Sequence, residues 1–185
     1  MKKKMHNPSE YKRWRRHKRV RSPSAALLKA TLILGAQRLS GYAAAEAVLD
    51  EHQGFGRVDV DTVLAPVKPA TTAFRDVKPG LRTGDLRRYT LKVKSNQVGL
   101  RVVLAYSDYP GPALVNNLNL IVTDPNGVRY VGNQDGASLT MDANNNVEVV
   151  QVRRPVAGGW TIEVVGSNVP QGPQPFALVW QAHLG

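Results

Sequence analysis

Oxygen-bearing side chains are concentrated in one stretch of the chain, LVNNLNLIVTDPNGVRYVGN, residues 114–133. Apolar residues alternate on both sides of Asp124-Pro125-Asn126-Gly127, where proline fixes φ and glycine accepts a positive φ. This pattern predicts a β-hairpin in which Asp124 serves the turn. The remaining Asn and Asp side chains leave two interpretations open: they form loops and turns, or their oxygens surround a cation.

A catalytic serine needs an adjacent base, an orienting acid and an oxyanion hole. Ser138 and Ser167 follow glycine-containing stretches, but neither stands at a predicted helix start. Two histidines lie in the basic N-terminal segment, one in a loop and one near the end: His6, His17, His52 and His183. Without cysteine, thiol chemistry is excluded. We therefore assign no catalytic and no cofactor-binding residue, and we expect the chain alone not to hydrolyse peptides.

Most of the positive charge lies at the beginning of the chain. The formal net charge is +11, and residues 1–21 supply +9 of it with ten Lys/Arg and one Glu. Tyr11 and Trp14 interleave with these cations, as in arms that bind nucleic acid or anionic membranes. The other interpretations are a solvated tail and coding sequence at a broken gene start. We favour these two and predict a disordered segment that does not bind nucleic acid.

The sequence shows no apolar run long enough to cross a membrane. The basic start is also not followed by the apolar region of a signal peptide. We therefore expect a cytoplasmic location for the chain as written.

Residues 22–65 are predicted to be a helix followed by loops. Ser22 and Pro23 are typical of a helix start, and AALLKATLILGA continues to about Gly35. Leu27, Leu28, Leu32 and Ile33 cover more than one side of this helix, which is typical of a buried helix. If nothing covers it, the exposed apolar residues favour fraying and self-association through this segment.

The pattern changes further along the chain. Residues 66–80 contain three prolines and are predicted to be a linker. In 81–185 the apolar period becomes two, as in Tyr89, Leu91 and Val93, and turn signals separate the short runs. This predicts a mainly β domain: an antiparallel jelly-roll sandwich or barrel behind the short helical segment.

Five blocks carry a family resemblance, in a fixed order: SPSAALLKATLILGA (22–36), GFGRVDVDTVL (54–64), LAYSDYPGPALVNNLNLIVTDPNGVRYVGN (104–133), NNVEVVQV (145–152) and GGWTIEVVGSNVPQGPQPFALVW (158–180). Together they resemble the C-terminal part of subtilisin-like serine proteases with a jelly-roll β-barrel, such as the bacterial alkaline subtilases. In that family a helix bearing the nucleophile in a G-T-S-x-A motif precedes the first block, and here the basic segment replaces it. The resemblance implies a secreted family, a remnant of the catalytic domain at 22–65, and a missing catalytic domain as partner.

The resemblance also bears on the cation question, because family barrels often hold calcium. The family block N-D-L-D-L reads here with Asn117 and Asn119 in place of both aspartates. Amide oxygens can still bind Ca²⁺, but two negative charges are lost. The candidate metal residues are Asp108, Asn117, Asn119, Asp142 and Glu148.

The function that follows is a non-catalytic C-terminal portion of a serine endopeptidase, whose barrel supports the protease domain with or without calcium. One alternative is a stand-alone calcium-dependent module that binds carbohydrate or protein. A sugar site needs exposed aromatic residues, whereas Trp160 and Trp180 fall in phase with core positions. The second alternative is nucleic-acid binding through residues 1–21.

Overall fold

The computed structural model describes residues 22–40, 50, 52–96, 98–135, 137 and 139–185. Its strands are β1 (Thr71–Leu81), β2 (Leu86–Val93), β3 (Leu100–Ala105), β4 (Asn117–Thr123), β5 (Arg129–Val131), β6 (Val147–Val152), β7 (Gly158–Asn168) and β8 (Gln174–Ala182). They form two antiparallel four-stranded sheets, in the orders β1-β8-β3-β6 and β2-β7-β4-β5. This order is that of a jelly-roll sandwich, so the predicted fold class is confirmed.

The main core lies between the two sheets. Inward-facing residues alternate along β4 and β7, so that Leu118, Leu120 and Val122 meet Trp160 and Ile162 from the neighbouring strand. Trp160 and Trp180 are both buried in this core. Because of this burial, neither ring offers the exposed surface on which a sugar stacks.

Helix α1 (Ala25–Leu34) packs on the outer face of the sheet β1-β8-β3-β6. The hydroxyl of Ser24 caps the helix by accepting the N–H of Leu27 at 3.1 Å, and it also donates to Asp76 of β1 at 2.7 Å. Leu27 and Leu34 are buried against the sheet. The inner side of this helix therefore packs within the chain itself. Its opposite side remains apolar, with Leu28 51% and Leu32 41% exposed.

A short helix, α2 (Asp61–Leu64), follows and buries Val63 against the same face. The linker predicted at 66–80 is wrong from Thr71 onward, because β1 occupies Thr71–Leu81 and pairs with β8. Pro79 is compatible with this strand because β1 is an edge strand and its register is irregular between Val77 and Leu81.

The basic segment 1–21, with its predicted disorder and its nucleic-acid alternative, lies outside the described residues. Within the described part of the chain, no helix has the length and apolarity needed to cross a membrane.

Candidate functional site

The turn between β4 and β5 is built by Asp124. Its Oδ1 accepts the N–H groups of Asn126 and Val128, both at 2.8 Å, and Gly127 adopts a φ of 84°. These contacts confirm that Asp124 serves the turn, and they occupy the oxygen that a cation would otherwise use.

After β5 the chain crosses from one sheet to the other. Gly132 N–H still donates to the carbonyl of Leu120 at 3.0 Å, but Asn133 N–H donates to Val149 of β6 at 2.9 Å. The side-chain Oδ1 of Asn133 accepts the N–H of Val149 at 3.0 Å, and its backbone has a φ of 60°. Asparagine is one of the few non-glycine residues that tolerate this conformation. The crossing closes the sandwich along the line where β4 and β5 face β6, and we call this line the Asn133 seam.

Glu148 lies at the Asn133 seam and is fully buried. Its Oε2 accepts the N–H of Leu120 at 2.6 Å, one residue pair beyond the end of the β4–β5 ladder. Burial raises the pKa of the Glu148 carboxyl to about 9, with Asp142 contributing in the same direction against the hydrogen bond from Leu120. The carboxyl is therefore protonated at neutral pH. Gly132 is needed here because a Cβ would collide with the Glu148 side chain.

The Asn119 amide joins Glu148 to β4 and β7, and the partners of its oxygen and nitrogen favour the first of its two orientations. In one, Nδ2 donates to Glu148 Oε1 at 3.1 Å and to the backbone carbonyl of Asp142 at 3.0 Å. In the other, Nδ2 donates to Asn117 Oδ1 at 3.1 Å and to Ser167 Oγ at 2.7 Å. The second orientation turns Asn119 Oδ1 toward Glu148 and Asp142, so that a proton or a cation is required between these three oxygens.

The carboxylate of Asp142 organises the loop before β6. It accepts N–H groups from the backbone and side chain of Asn145, from the backbone of Asn144, and from Asn133 Nδ2 at 2.6 Å. Burial raises the pKa of Asp142, but these hydrogen bonds outweigh burial and hold it below its ordinary value. It is the carbonyl oxygen of Asp142, not its carboxylate, that faces Asn119.

The structure thus brings Asn117, Asn119, Asp142 and Glu148 together. Asp108 has a different role, because its two carboxylate oxygens accept the N–H groups of Val115 at 2.7 Å and Asn116 at 2.9 Å. Burial raises the pKa of Tyr106 far above its ordinary range, and the carboxylate of Asp108 adds to that rise.

Three further polar residues belong to this network and were not assigned from the sequence. Tyr106 is buried, and its hydroxyl donates to the carbonyl of Asn116 at 3.0 Å. Asn116 is also buried and donates to Gln174 Oε1 at 2.7 Å, beside the last strand. The third is Asn133. Only its position after a glycine, where the alternation stops, could have indicated its role.

A serine and a histidine also meet on the opposite side of the sandwich. Ser95 Oγ lies 2.7 Å from His183 Nδ1. Among the described residues no carboxylate forms a salt bridge with His183. A hydroxyl and an imidazole without an orienting acid are an incomplete nucleophile.

No family model matches the chain. Among curated proteins it is similar to the serine protease/ABC transporter B family protein tagA of Dictyostelium discoideum, with 26% identity over 176 residues, 85% of this chain and 10% of that protein. The related tagB of the same organism matches with 32% identity over 80 residues, 39% of this chain and 4% of tagB. The chain therefore spans a tenth or less of the curated relatives it matches, and it is linked to proteins with protease-related names.

Solved structures share only remote likeness with the chain. A periplasmic inhibitor of g-type lysozyme, Aeromonas hydrophila PliG, matches 60% of this chain and 83% of its own length, with 19% identity and a TM-score of 0.33. Bacillus licheniformis lipase BlEst2 in propeptide form matches 60% of this chain and 21% of its own length, with 16% identity and a TM-score of 0.35. At these scores neither structure supports a functional inference.

Proposed function

We propose that this chain is a non-catalytic C-terminal portion of a subtilisin-like serine endopeptidase, in which α1 and the jelly-roll together support the catalytic domain. The match to tagA over 85% of the chain supports this proposal. The observation that carries it is the two-sided character of α1. One side, with Leu27 and Leu34, belongs to the sandwich, and the other presents Leu28 and Leu32 to the outside.

The outer side of α1 has the chemistry of a domain interface. Burying a leucine side chain fully is worth about 1.5–3 kcal/mol, and about half of Leu28 is available for that purpose. In the resembled family the chain reaches this helix directly from the helix that bears the nucleophile. A catalytic domain docked there covers Leu28 and Leu32 and holds the sandwich beside it.

The test compares the chain alone with a chimera. The chimera is a subtilase of the resembled type whose own C-terminal barrel has been replaced by residues 22–185. We expect a fluorophosphonate probe to label the chimera at its catalytic domain and to leave the isolated chain unlabelled, because the G-T-S-x-A motif of the resembled family does not occur in this sequence. The chimera should likewise hydrolyse casein, and the isolated chain should not.

Docking is measured by heat inactivation of the chimera. Leu28→Ser with Leu32→Ser should shorten the half-life of the chimera while leaving the melting temperature of the isolated chain nearly unchanged, because both side chains are exposed in the chain itself. Exchange of the exposed Leu139 by serine serves as the control. Stoichiometric labelling of the isolated chain contradicts the proposal. Equal half-lives of the chimera with both serine changes and of the chimera with the Leu139 control change also contradict it.

We further propose that Ca²⁺ binds at the Asn133 seam, between Asn119, the carbonyl of Asp142 and Glu148, with Asn117 beside them. The support for this site is that Glu148 Oε1 and the carbonyl oxygen of Asp142 both face the Asn119 amide, which must turn its oxygen toward them to bind a cation. Asp108 can bind the cation only if its loop opens, because both of its carboxylate oxygens accept backbone N–H groups of that loop. Since Glu148 must give up its proton to bind a cation, binding is coupled to pH.

For calcium we expect a pH-dependent rise in melting temperature. A ligand at a hundredfold excess over its Kd stabilises the folded state by about 2.7 kcal/mol. Millimolar Ca²⁺ should raise the melting temperature more at about pH 9 than at about pH 6, because ionised Glu148 is available only at the higher pH. Asn119→Asp should strengthen the effect and Glu148→Gln should remove it. An unchanged melting temperature at both pH values leaves these residues as a structural network only.

A further inference from the structure

The outer edge of β2 offers unpaired backbone groups. Residues that follow β8 begin to pair with this edge: Lys94 N–H donates to His183 and Gly185 N–H to Lys92, both at 2.8 Å. In an antiparallel ladder the backbone groups of alternate residues point to the same edge. Those of Leu86, Arg88 and Thr90 therefore also face outward, and no strand of the described chain pairs with them.

The gap beside this edge separates β2 from β1, the edge strand of the other sheet. Arg75 of β1 occupies an inward-facing position, in phase with Ala73 and Val77, and its guanidinium donates to the carbonyl of Phe74 at 2.8 Å. The guanidinium lies 5.0 Å from the ring centroid of Trp180 and 5.9 Å from that of Tyr89. We call this group of residues the β1–β2 gap.

A second cation, Arg87, belongs to the same place. Arg87 lies two residues before Tyr89 in β2, so the two side chains leave the same face of the strand. Burial raises the pKa of Tyr89, and the charges of Arg75 and Arg87 oppose that rise. Among the described residues neither forms a salt bridge, whereas the neighbouring Arg88 pairs with Glu163 at 2.6 Å. Within the described part of the chain, the buried indole N–H of Trp180 has no hydrogen-bond partner.

We propose that the β1–β2 gap binds an acidic peptide in extended conformation, which adds to β2 as a further strand. Its backbone pairs with Leu86, Arg88 and Thr90, and its carboxylates pair with Arg75 and Arg87. Arginine can accept a carboxylate while it remains stacked on an aromatic ring. The same charges disfavour a basic strand, including the β2 edge of a second copy.

The test is a fluorescence anisotropy titration of the full chain with a labelled peptide of alternating Glu and Thr, of the length of β2. Thr90→Pro removes an outward N–H without touching the pairing of β2 with β7, because the N–H of Thr90 faces away from β7. Thr90→Ala keeps the N–H and is the matched control. We expect Thr90→Pro to weaken binding at least about tenfold, and Thr90→Ala to bind as the wild type does.

Charge is tested separately. Arg87→Gln should weaken binding, and Arg129→Gln, on the exposed surface of β5, should not. A peptide with Lys in place of Glu should not bind. Equal binding of the two Thr90 variants, equal binding of the Lys peptide, or no saturable binding overturns the proposal.

A second measurement covers the case in which Thr90→Pro does not fold. Amide hydrogen exchange of the wild-type chain should slow at Arg88 and Thr90 when the acidic peptide is added, and the amide of Leu91, which faces β7, should change little. Unchanged exchange at Arg88 and Thr90 under saturating peptide, or concentration-dependent pairing of two copies at this edge, contradicts the proposed partner.

Discussion

Replacing Glu148 by alanine is expected to lower the free energy of unfolding by about 3 kcal/mol at about pH 4, where the carboxyl is largely protonated in the folded and the unfolded state. The change leaves the buried N–H of Leu120 without an acceptor, which alone costs about 1–3 kcal/mol. It also opens a cavity against Gly132 at the Asn133 seam. Urea denaturation of the alanine variant and the wild type gives the difference, and a loss below about 1 kcal/mol contradicts the role assigned to this side chain.

Glutamine at the same position should be about as stable as the wild type at low pH and should lack the contribution of Glu148 to the pH dependence. Its amide oxygen can accept the N–H of Leu120 as the carboxyl does, and its amide has no proton to lose in this pH range. The folded-state pKa of about 9 lies above the unfolded value of about 4.3, so the carboxyl contributes stability that is complete below the unfolded value. That stability is lost as pH rises toward and through about 9.

Denaturation of both proteins between about pH 5 and about pH 9 checks this sign. The wild type should become less stable than Glu148→Gln at the upper end of the range. If the free energies of unfolding of the two proteins change with pH in parallel, the raised pKa assigned to Glu148 is contradicted.

Leu27→Ala should destabilise the chain by about 2–5 kcal/mol, whereas Leu28→Ala should change its stability by less than about 0.5 kcal/mol. The two residues are neighbours in the same helix and share one intrinsic helix propensity, so the comparison isolates burial. Leu27 is fully buried against the sheet and Leu28 is 51% exposed.

Thermal denaturation and amide exchange of Ala25–Leu34 measure the difference. Equal, small effects of the two changes mean that α1 does not pack on the sandwich in solution. Equal, large effects mean that the outer side of α1 is covered as well, by another copy at the concentration used.

Local pattern was sufficient for most of the sandwich. The sequence predicted β2 from the alternation of Tyr89, Leu91 and Val93, because every second residue of the strand meets the core. It predicted β7 in the same way from Trp160, Ile162 and Val164. The start of the first strand was missed because Pro79 and the charged residues around it are permitted at a sheet edge, and edge position cannot be seen from a local pattern. The place of α1 was missed because it depends on partners in β3 and β8, far along the chain.

The sequence predicted which residue types form the candidate site, but not which of their side chains meet. The Asn-rich block pointed to Asn117 and Asn119. The contact of Asn119 with Glu148, however, depends on the crossing at Asn133, where strands of different sheets meet. Asp108 resembled a ligand in composition, and its oxygens hold a loop. Hydrogen bonding by carboxylates to nearby N–H groups competes with cation binding, and the sequence alone does not show which of them prevails.

The strand pairing of this sandwich is nested. β4 pairs with the adjacent β5, β3 with β6, β2 with β7 and β1 with β8, so each outer pair encloses the inner ones along the chain. During synthesis the β4–β5 hairpin can form early, but β1 has no partner until β8 has left the ribosome. Helix α1 precedes all of them and rests on β8. Its buried side therefore stays incompletely covered until β8 has been synthesised, and during that interval chaperones can engage its apolar residues.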